Sequence, residues 1–289
     1  MMKYMRLMRI KHWIKNILIF FPLVFSGNLL VEEKLIKTIW GFMSFCLVSS
    51  AIYIVNDLRD VDSDRMHEVK KNRPLASGAV SKMQGIVLIV LLIGGSAGLC
   101  LYSSEGALCV VLYLLINLLY SCGMKNIPII DVVILVAGYI IRLLYGGVLA
   151  GTGVSEWMLL TVMMASFFLG FGKRRGEYVQ YGEETRESLK GYSKSFLDNS
   201  VNMFLTLTII FYSLTCLDKE SGVARQGVNM LWTVPVVIIV CLRYMMRMET
   251  DNNSVGDPVE IVIHDPILMI LIGFYGIVVL VSLYFKNFV

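Results

Sequence analysis

Charge is scarce in this sequence. Of 289 residues only 17% are Asp, Glu, Lys or Arg and 56% are hydrophobic, against roughly 25% charged in an ordinary soluble domain. That balance excludes a soluble globular protein, a disordered chain and a coiled coil. Histidine is nearly missing: His12, His67 and His264 are the three present, and none has a partner at metal-ligand spacing. The six cysteines lie within apolar runs or at their ends, which excludes a disulfide scaffold or a zinc site and reads as small buried hydrophobes. Glycine-rich phosphate loops are also missing, because Gly170-Phe171-Gly172 is too short and wrongly placed for a dinucleotide turn. No small-residue cleavage site follows Phe25, so the first apolar run reads as a retained membrane helix.

What is abundant is the apolar run. Crossing about 30 Å of hydrocarbon takes ~20 residues of helix. Nine candidate spans fall near residues 16–31, 36–55, 85–103, 106–122, 128–150, 157–172, 200–217, 229–246 and 266–285. With a cytoplasmic N-terminus, 20 of the 26 Lys and Arg fall on the cytoplasmic side. Lys34, Lys37, Lys219, Arg225 and Lys286 fall outside, and Arg142 lies within a span. The positive-inside rule therefore predicts an all-α, multi-pass protein of the cell membrane, a single domain over 1–289, with an external C-terminus. Two cytoplasmic loops, 56–84 and 173–199, are long and charged. Loops of that length usually carry function, so the working face is expected toward the cytoplasm.

The second span ends in Asn56-Asp57-Leu58-Arg59-Asp60-Val61-Asp62-Ser63-Asp64, four aspartates in eight residues. At helical spacing Asn56, Asp57, Asp60 and Asp64 share an arc of about 100°, with Asp62 on another face. Like-charge repulsion opposes such a cluster unless cations occupy it. Magnesium binds through one or two carboxylates together with substrate phosphates, so the cluster reads as a Mg2+ and diphosphate site. A solvated acidic helix end neutralised by Arg59 and Arg65 is the plainer alternative.

Asn56-Asp57-x-x-Asp60-x-x-x-Asp64, followed by Arg73-Pro74-Leu75-Ala76-Ser77-Gly78, resembles the signature of the UbiA superfamily of intramembrane prenyltransferases. The resemblance covers essentially the whole chain and implies nine helices around a cytoplasm-facing cavity. It implies Mg2+, with Mn2+ as a substitute, on Asp57, Asp60 and Asp64 as the catalytic and metal-binding acids, with Asn56 beside them and Arg73 on phosphate.

The usual second acidic motif of that family, DxxxD after the sixth span, is replaced here by Lys173-Arg174-Arg175-Gly176-Glu177. An acid–acid pair has become a cation–acid pair, which suits a second anionic group, since arginine forks match phosphate. The same cations would also anchor the span as topology signals. With Arg9-Ile10-Lys11-His12-Trp13-Ile14-Lys15-Asn16, Tyr120 to Lys125, Arg186 to Tyr192 and Asp257-Pro258-Val259-Glu260, the variant is similar to the decaprenyl-phosphate phosphoribosyltransferase branch. That likeness implies transfer of 5-phosphoribose from phosphoribosyl pyrophosphate to a polyprenyl phosphate, with release of pyrophosphate. The donor has a diphosphate at one end and a phosphate at the other, matching an acidic metal site facing a basic one.

On this reading Lys173, Arg174, Glu177, Arg186 and Tyr192 bind substrate, Lys11 and Lys15 hold the lipid phosphate, and Tyr120 and Lys125 contact phosphate. Asp131 and Arg142 lie eleven residues apart in one span, too far to pair. Charged groups in spans are often functional, and Asp131 either completes a polar cavity or caps a helix after Pro128. The expected partners are the two substrates and the bilayer, with no nucleic acid and with a homo-oligomer left open. Two other readings stand beside this one: prenyl transfer from prenyl diphosphate to an aromatic acceptor, and a non-enzymatic transporter.

Overall fold

A computed structural model describes residues 2–66, 70–183, 186–218, 230–250 and 257–284. His67, Lys219, Arg225 and Lys286, used in the sequence reading, lie outside the described residues. Among the described residues the chain is helical throughout, with no strand. Its α-helices are α1 (Met2–Leu7), α2 (Phe21–Phe25), α3 (Glu32–Arg59), α4 (Val61–Met66), α5 (Lys82–Cys100), α6 (Ala107–Ser121), α7 (Ile130–Leu149), α8 (Glu156–Tyr181), α9 (Lys194–Leu217), α10 (Val234–Thr250), α11 (Pro258–His264) and α12 (Pro266–Tyr284).

The helix starts are written in the sequence. Ser81 and Gln84 form a capping box at α5, each accepting the other's backbone N–H, at 3.2 and 3.1 Å. Ser155 and Ser193 cap α8 and α9, and Asp257 and Asp265 cap α11 and α12. Gly182, at φ 76°, ends α8, a conformation that glycine adopts without a Cβ clash.

Seven helical stretches among the described residues are long and apolar enough to cross a bilayer: Glu32–Arg59, Lys82–Cys100, Ser104–Ser121, Ile130–Leu149, Lys194–Leu217, Leu231–Thr250 and Pro266–Tyr284. Their outer faces carry bare aliphatic side chains, such as Val90, Leu91, Ile270 and Ile277, each more than 60% exposed. Lipid rather than water suits such a surface.

Two expected spans take another form. Residues 16–31 are not one α-helix: a 3-10 helix, Ile10–Phe20, runs into the short α2, which begins at Phe21-Pro22. Proline removes a backbone donor at that point. The sixth expected span sits in α8, which is 26 residues long and runs through Lys173 to Tyr181, well past its apolar stretch.

Packing fixes the site-bearing ends. Phe167 and Phe171 of α8 stack on Phe204 of α9, with ring centroids 4.7 and 5.5 Å apart. Phe45 of α3 meets Tyr113 of α6 and Tyr145 of α7 at 4.6 and 5.5 Å. The 3-10 segment lies so close on α7 that a Cβ on Gly146 would stand 2.0 Å from the Ile19 carbonyl oxygen. Trp13 Nε1 donates to Ser50 Oγ at 3.0 Å, and the Asn16 amide donates to Cys46 and Ser49 of α3.

Candidate active site

The acidic motif sits where α3 gives way to α4. Hydrogen bonds from Asp60 N to Asn56 O and from Asp64 N to Asp60 O, 2.9 and 2.8 Å, carry the helical register across the junction. The chain still bends at Asp60, whose ψ is 8°, so the shared face is reached through a kink and not along one straight helix. Each carboxylate has a cation. Asp57, 2% exposed, accepts from Arg9 at 2.5 Å and from Arg73 at 3.1 Å. The same Arg73 nitrogen reaches Asp64 at 2.7 Å, and Lys125 holds Asp60 at 2.7 Å. Asn56 accepts from the Ser121 hydroxyl at the end of α6.

Among the described residues no three Asp, Glu, His or Cys side chains converge as a ready metal shell. The donor set nevertheless fits a hard divalent cation. Asp57 and Asp64 already point one oxygen each at a single positive nitrogen, that of Arg73, and the charged oxygens that Asp57, Asp60 and Asp64 offer are the hard donors such a cation takes.

The basic motif is arranged differently from its sequence reading. Arg174, 1% exposed, is locked to Asp131 at 2.6 Å and to Glu177 at 2.7 Å. Asp131 also accepts from Tyr192 at 2.8 Å and from Ser188 at 3.0 Å. The Tyr192 hydroxyl in turn accepts the N–H of Ile129, which is held at φ 68°, an unusual conformation for a β-branched residue. Gly191 permits that approach, since a Cβ there would meet Pro128 Cγ at 2.4 Å. Asp131 is therefore the centre of a buried knot, beyond the capping or cavity role expected of it. Arg174 and Tyr192 are buried within the knot and hold other residues in place.

Arg175 turns away, to Asp198 at 2.5 Å and Glu249 at 3.7 Å. Of the three consecutive cations only Lys173 remains partly open, 33% exposed and 3.5 Å from Asp257. Arg186 donates to the Tyr120 hydroxyl at 2.6 Å and to the Lys125 carbonyl at 3.0 Å. The end of α6 and the turn after it thus tie the two motifs together: Ser121 and Lys125 face the acids while Tyr120 faces Arg186. Lys70 is in the electrostatic field of both groups, with Arg73 and Asp64 on one side and Glu177 and Arg186 on the other.

On the N-terminal segment Lys11 is exposed and 3.8 Å from Glu260, whereas Lys15 points inward toward Tyr53, Tyr139 and Asp257. Arg142 pairs with no acid among the described residues. It donates to Asn16 at 2.7 Å, the Gly138 carbonyl at 2.8 Å and Tyr113 at 3.0 Å, stacked among Phe45, Tyr113 and Tyr139. It joins α7 to the N-terminal segment. Cys122, expected to be buried, is exposed, with Arg59 3.4 Å from its sulfur.

Sequence reasoning passed over Arg9, Asp257, Ser121, Ser188 and Asn16 as site or supporting residues. Arg9 had a signal: four clustered acids need more cations than Arg59 and Arg65 supply, and Arg9 heads the conspicuous N-terminal motif.

Burial, aided by the charge of Lys15, pushes His12 down to about 4. Among the described residues its Nδ1 has no hydrogen-bond partner, and Asp257, Arg9 and Lys173 are its other charged neighbours there. A histidine held neutral in the fold but titrating near 6.5 when unfolded stabilises the protein above pH 6.5 and loses that contribution as pH falls toward 4. His12→Gln should therefore flatten the fall in thermal midpoint between pH 6.5 and 4.5 relative to the parent. Parallel curves over that interval would contradict this.

The UbiA prenyltransferase family model matches residues 19–256. A decaprenyl-phosphate phosphoribosyltransferase from Corynebacterium glutamicum is 32% identical over 272 residues, 91% of this chain and 81% of the relative. One from Mycobacterium tuberculosis H37Rv is 31% identical, covering 91% and 88%. A UbiA homolog from Archaeoglobus fulgidus, solved bound to DMAPP and Mg2+, superposes with a TM-score of 0.71 at 18% identity, over 96% of this chain and 99% of that one. With two thirds of the chain and more matched at the level of sequence, and nearly all of it at the level of fold, this is a multi-pass membrane enzyme that belongs to the UbiA prenyltransferase family.

Proposed function

We propose that the chain transfers 5-phosphoribose from phosphoribosyl pyrophosphate to a polyprenyl phosphate and releases pyrophosphate. The observation that carries this reading is the second motif. Where a metal-holding acid pair is usual, Arg174 is neutralised by Asp131 and Glu177, and the site-facing groups beside it are Lys173 and Arg186. Such a wall repels a second divalent cation and attracts a phosphate. The phosphoribosyltransferase relatives agree with it.

In the proposed arrangement Asp57, Asp60 and Asp64 hold a divalent ion, Mg2+ or Mn2+, which when bound supplies positive charge to the pyrophosphate. Arg9, Arg73 and Lys125 already sit on these acids and are placed to follow the leaving group's charge. Lys173 and Arg186, with Tyr120, receive the 5-phosphate, and Lys15, with Lys11 nearer the surface, receives the lipid phosphate. The bond from ribose C1 to pyrophosphate breaks as a lipid phosphate oxygen bonds to C1, and the electron pair leaves with pyrophosphate. The attacking phosphate is already anionic, so no strong general base is needed; positioning and charge carry the catalysis.

The chain acts as one catalytic domain, site and N-terminus cytoplasmic, with nine crossings.

Lipid products identified by mass spectrometry test the reading. Membranes containing the protein, given phosphoribosyl pyrophosphate and polyprenyl phosphate, should yield a polyprenylphosphoryl-5-phosphoribose. Turnover confined to a parallel reaction with prenyl diphosphate and 4-hydroxybenzoate would overturn it.

A further inference from the structure

Arg73 stands where two acids of the first motif converge. Its Nη1 donates to Asp57 Oδ1 at 3.1 Å and to Asp64 Oδ2 at 2.7 Å, and both carboxylates are buried. A metal ion bridging those two oxygens would take the point that Nη1 holds, so guanidinium and ion are alternatives there. The neighbouring Arg9 is pinned: it donates to Asp57 at 2.5 Å, and its guanidinium lies over the Tyr53 ring, 5.0 Å from the centroid. Arg73 is freer to leave. Its side chain is 28% exposed, and among the described residues it bonds through Nη1 alone, with Nε and Nη2 donating to no partner. Its backbone is held in the turn, Arg73 N donating to Lys70 O and Ser77 N to Arg73 O, both at 2.9 Å. Part of a phosphate-binding fork is thus unused and can swing without unfolding the turn.

Charge decides when it moves. Asp57 and Asp64 are balanced by Arg9 and Arg73. A divalent ion added to that set would leave positive charge buried without a match, which a low-dielectric site penalises. Pyrophosphate removes the conflict, because it brings several negative charges and accepts a guanidinium fork. We infer that Arg73 holds the bridging position between Asp57 and Asp64 and exchanges with the divalent ion, passing to the pyrophosphate end of the donor as the ion enters. The identity of that donor rests on the proposed phosphoribosyl transfer. Ion and donor are then taken up together, and the ion alone binds weakly.

Mn2+ binding to the full chain in detergent micelles, read as loss of the free-ion EPR signal with no donor present, tests this without turnover. Arg73→Gln should bind Mn2+ tighter than the parent by about tenfold or more, since one cation beside a carboxylate changes its affinity for a proton by about ten- to a thousandfold. Arg59→Gln removes an exposed cation that pairs with no acid among the described residues and should change the affinity by less than about threefold. The KM for phosphoribosyl pyrophosphate should rise in Arg73→Gln as the metal affinity tightens, whereas a variant that merely loosened the fold would weaken both. Phenylglyoxal labelling of the parent, read by mass spectrometry, needs no variant: saturating Mn2+ should raise modification of Arg73 and leave Arg9 as it was. Unchanged or weaker Mn2+ binding in folded Arg73→Gln, equal tightening in Arg59→Gln, or Arg73 labelling that Mn2+ does not raise overturns the inference while phosphoribosyl transfer stands. Exchange of Arg73 for Mn2+ in a chain that transfers no phosphoribose overturns the proposed reaction alone. A parent that binds no Mn2+ even with the donor present overturns both.

Discussion

Asp60→Ala should lower phosphoribosyl transfer by about 10²–10³-fold, the range seen when one preorganised electrostatic contact to a developing charge is removed, while the protein stays inserted and folded. The separation of the two effects follows from where Asp60 lies. Its side chain is 31% exposed and is held by Lys125, itself 25% exposed. Removing the acid frees a lysine that can reach water, and half-exposed ion pairs of this kind contribute about 1 kcal/mol or less. Activity measured beside the thermal midpoint of the purified variant decides the matter. Full activity in a folded Asp60→Ala protein would refute the assignment of the acidic motif to pyrophosphate departure. Asp57 would be a poorer probe, because its removal leaves both Arg9 and Arg73 facing a buried vacancy, mixing folding with chemistry.

The opposite balance is expected at Asp131. Its carboxylate is fully buried and accepts from Arg174, Tyr192 and Ser188. Alanine there leaves Arg174, 1% exposed, with Glu177 as its one ion-pair partner among the described residues. Breaking a buried pair by removing one partner costs about 3–5 kcal/mol, because the remaining charge is left inside without its match. Asp131→Ala should show this loss in SDS-induced unfolding, and it should loosen Arg186 through the segment that Ser188 and Tyr192 anchor. Asp131→Asn, which still accepts from Tyr192, should fall between the two. A change below about 1 kcal/mol, the size of one ordinary hydrogen bond, would contradict the description of Asp131 as the centre of a buried knot.

The helical, membrane-spanning fold was legible because hydropathy acts locally; the caps Ser81, Ser155 and Ser193, which start helices where they stand in sequence, are an equally local signal that the sequence reading did not use. The acidic motif was legible for the same reason, since Asp57, Asp60 and Asp64 are one or two turns apart. The basic side was not. Lys173, Arg174 and Arg175 are adjacent in the chain, yet they face Asp257, Asp131 and Asp198 respectively. Neighbouring helical residues point about 100° apart, and which of three cations is left for substrate depends on acids 43, 23 and 84 positions away. The first span was misjudged as an α-helix because hydropathy reports burial, not pitch: Ile10–Phe20 takes the 3-10 form, and Pro22 stands in the first turn of the short α2, where a missing N–H is tolerated.

Release of pyrophosphate from phosphoribosyl pyrophosphate by the purified chain is the most direct measurement of the central claim. The account predicts release only when polyprenyl phosphate and a divalent ion are both present, abolished by chelation and restored by Mg2+. Release that persists in a chelator, or its failure with both substrates and the ion supplied to folded protein, would contradict it.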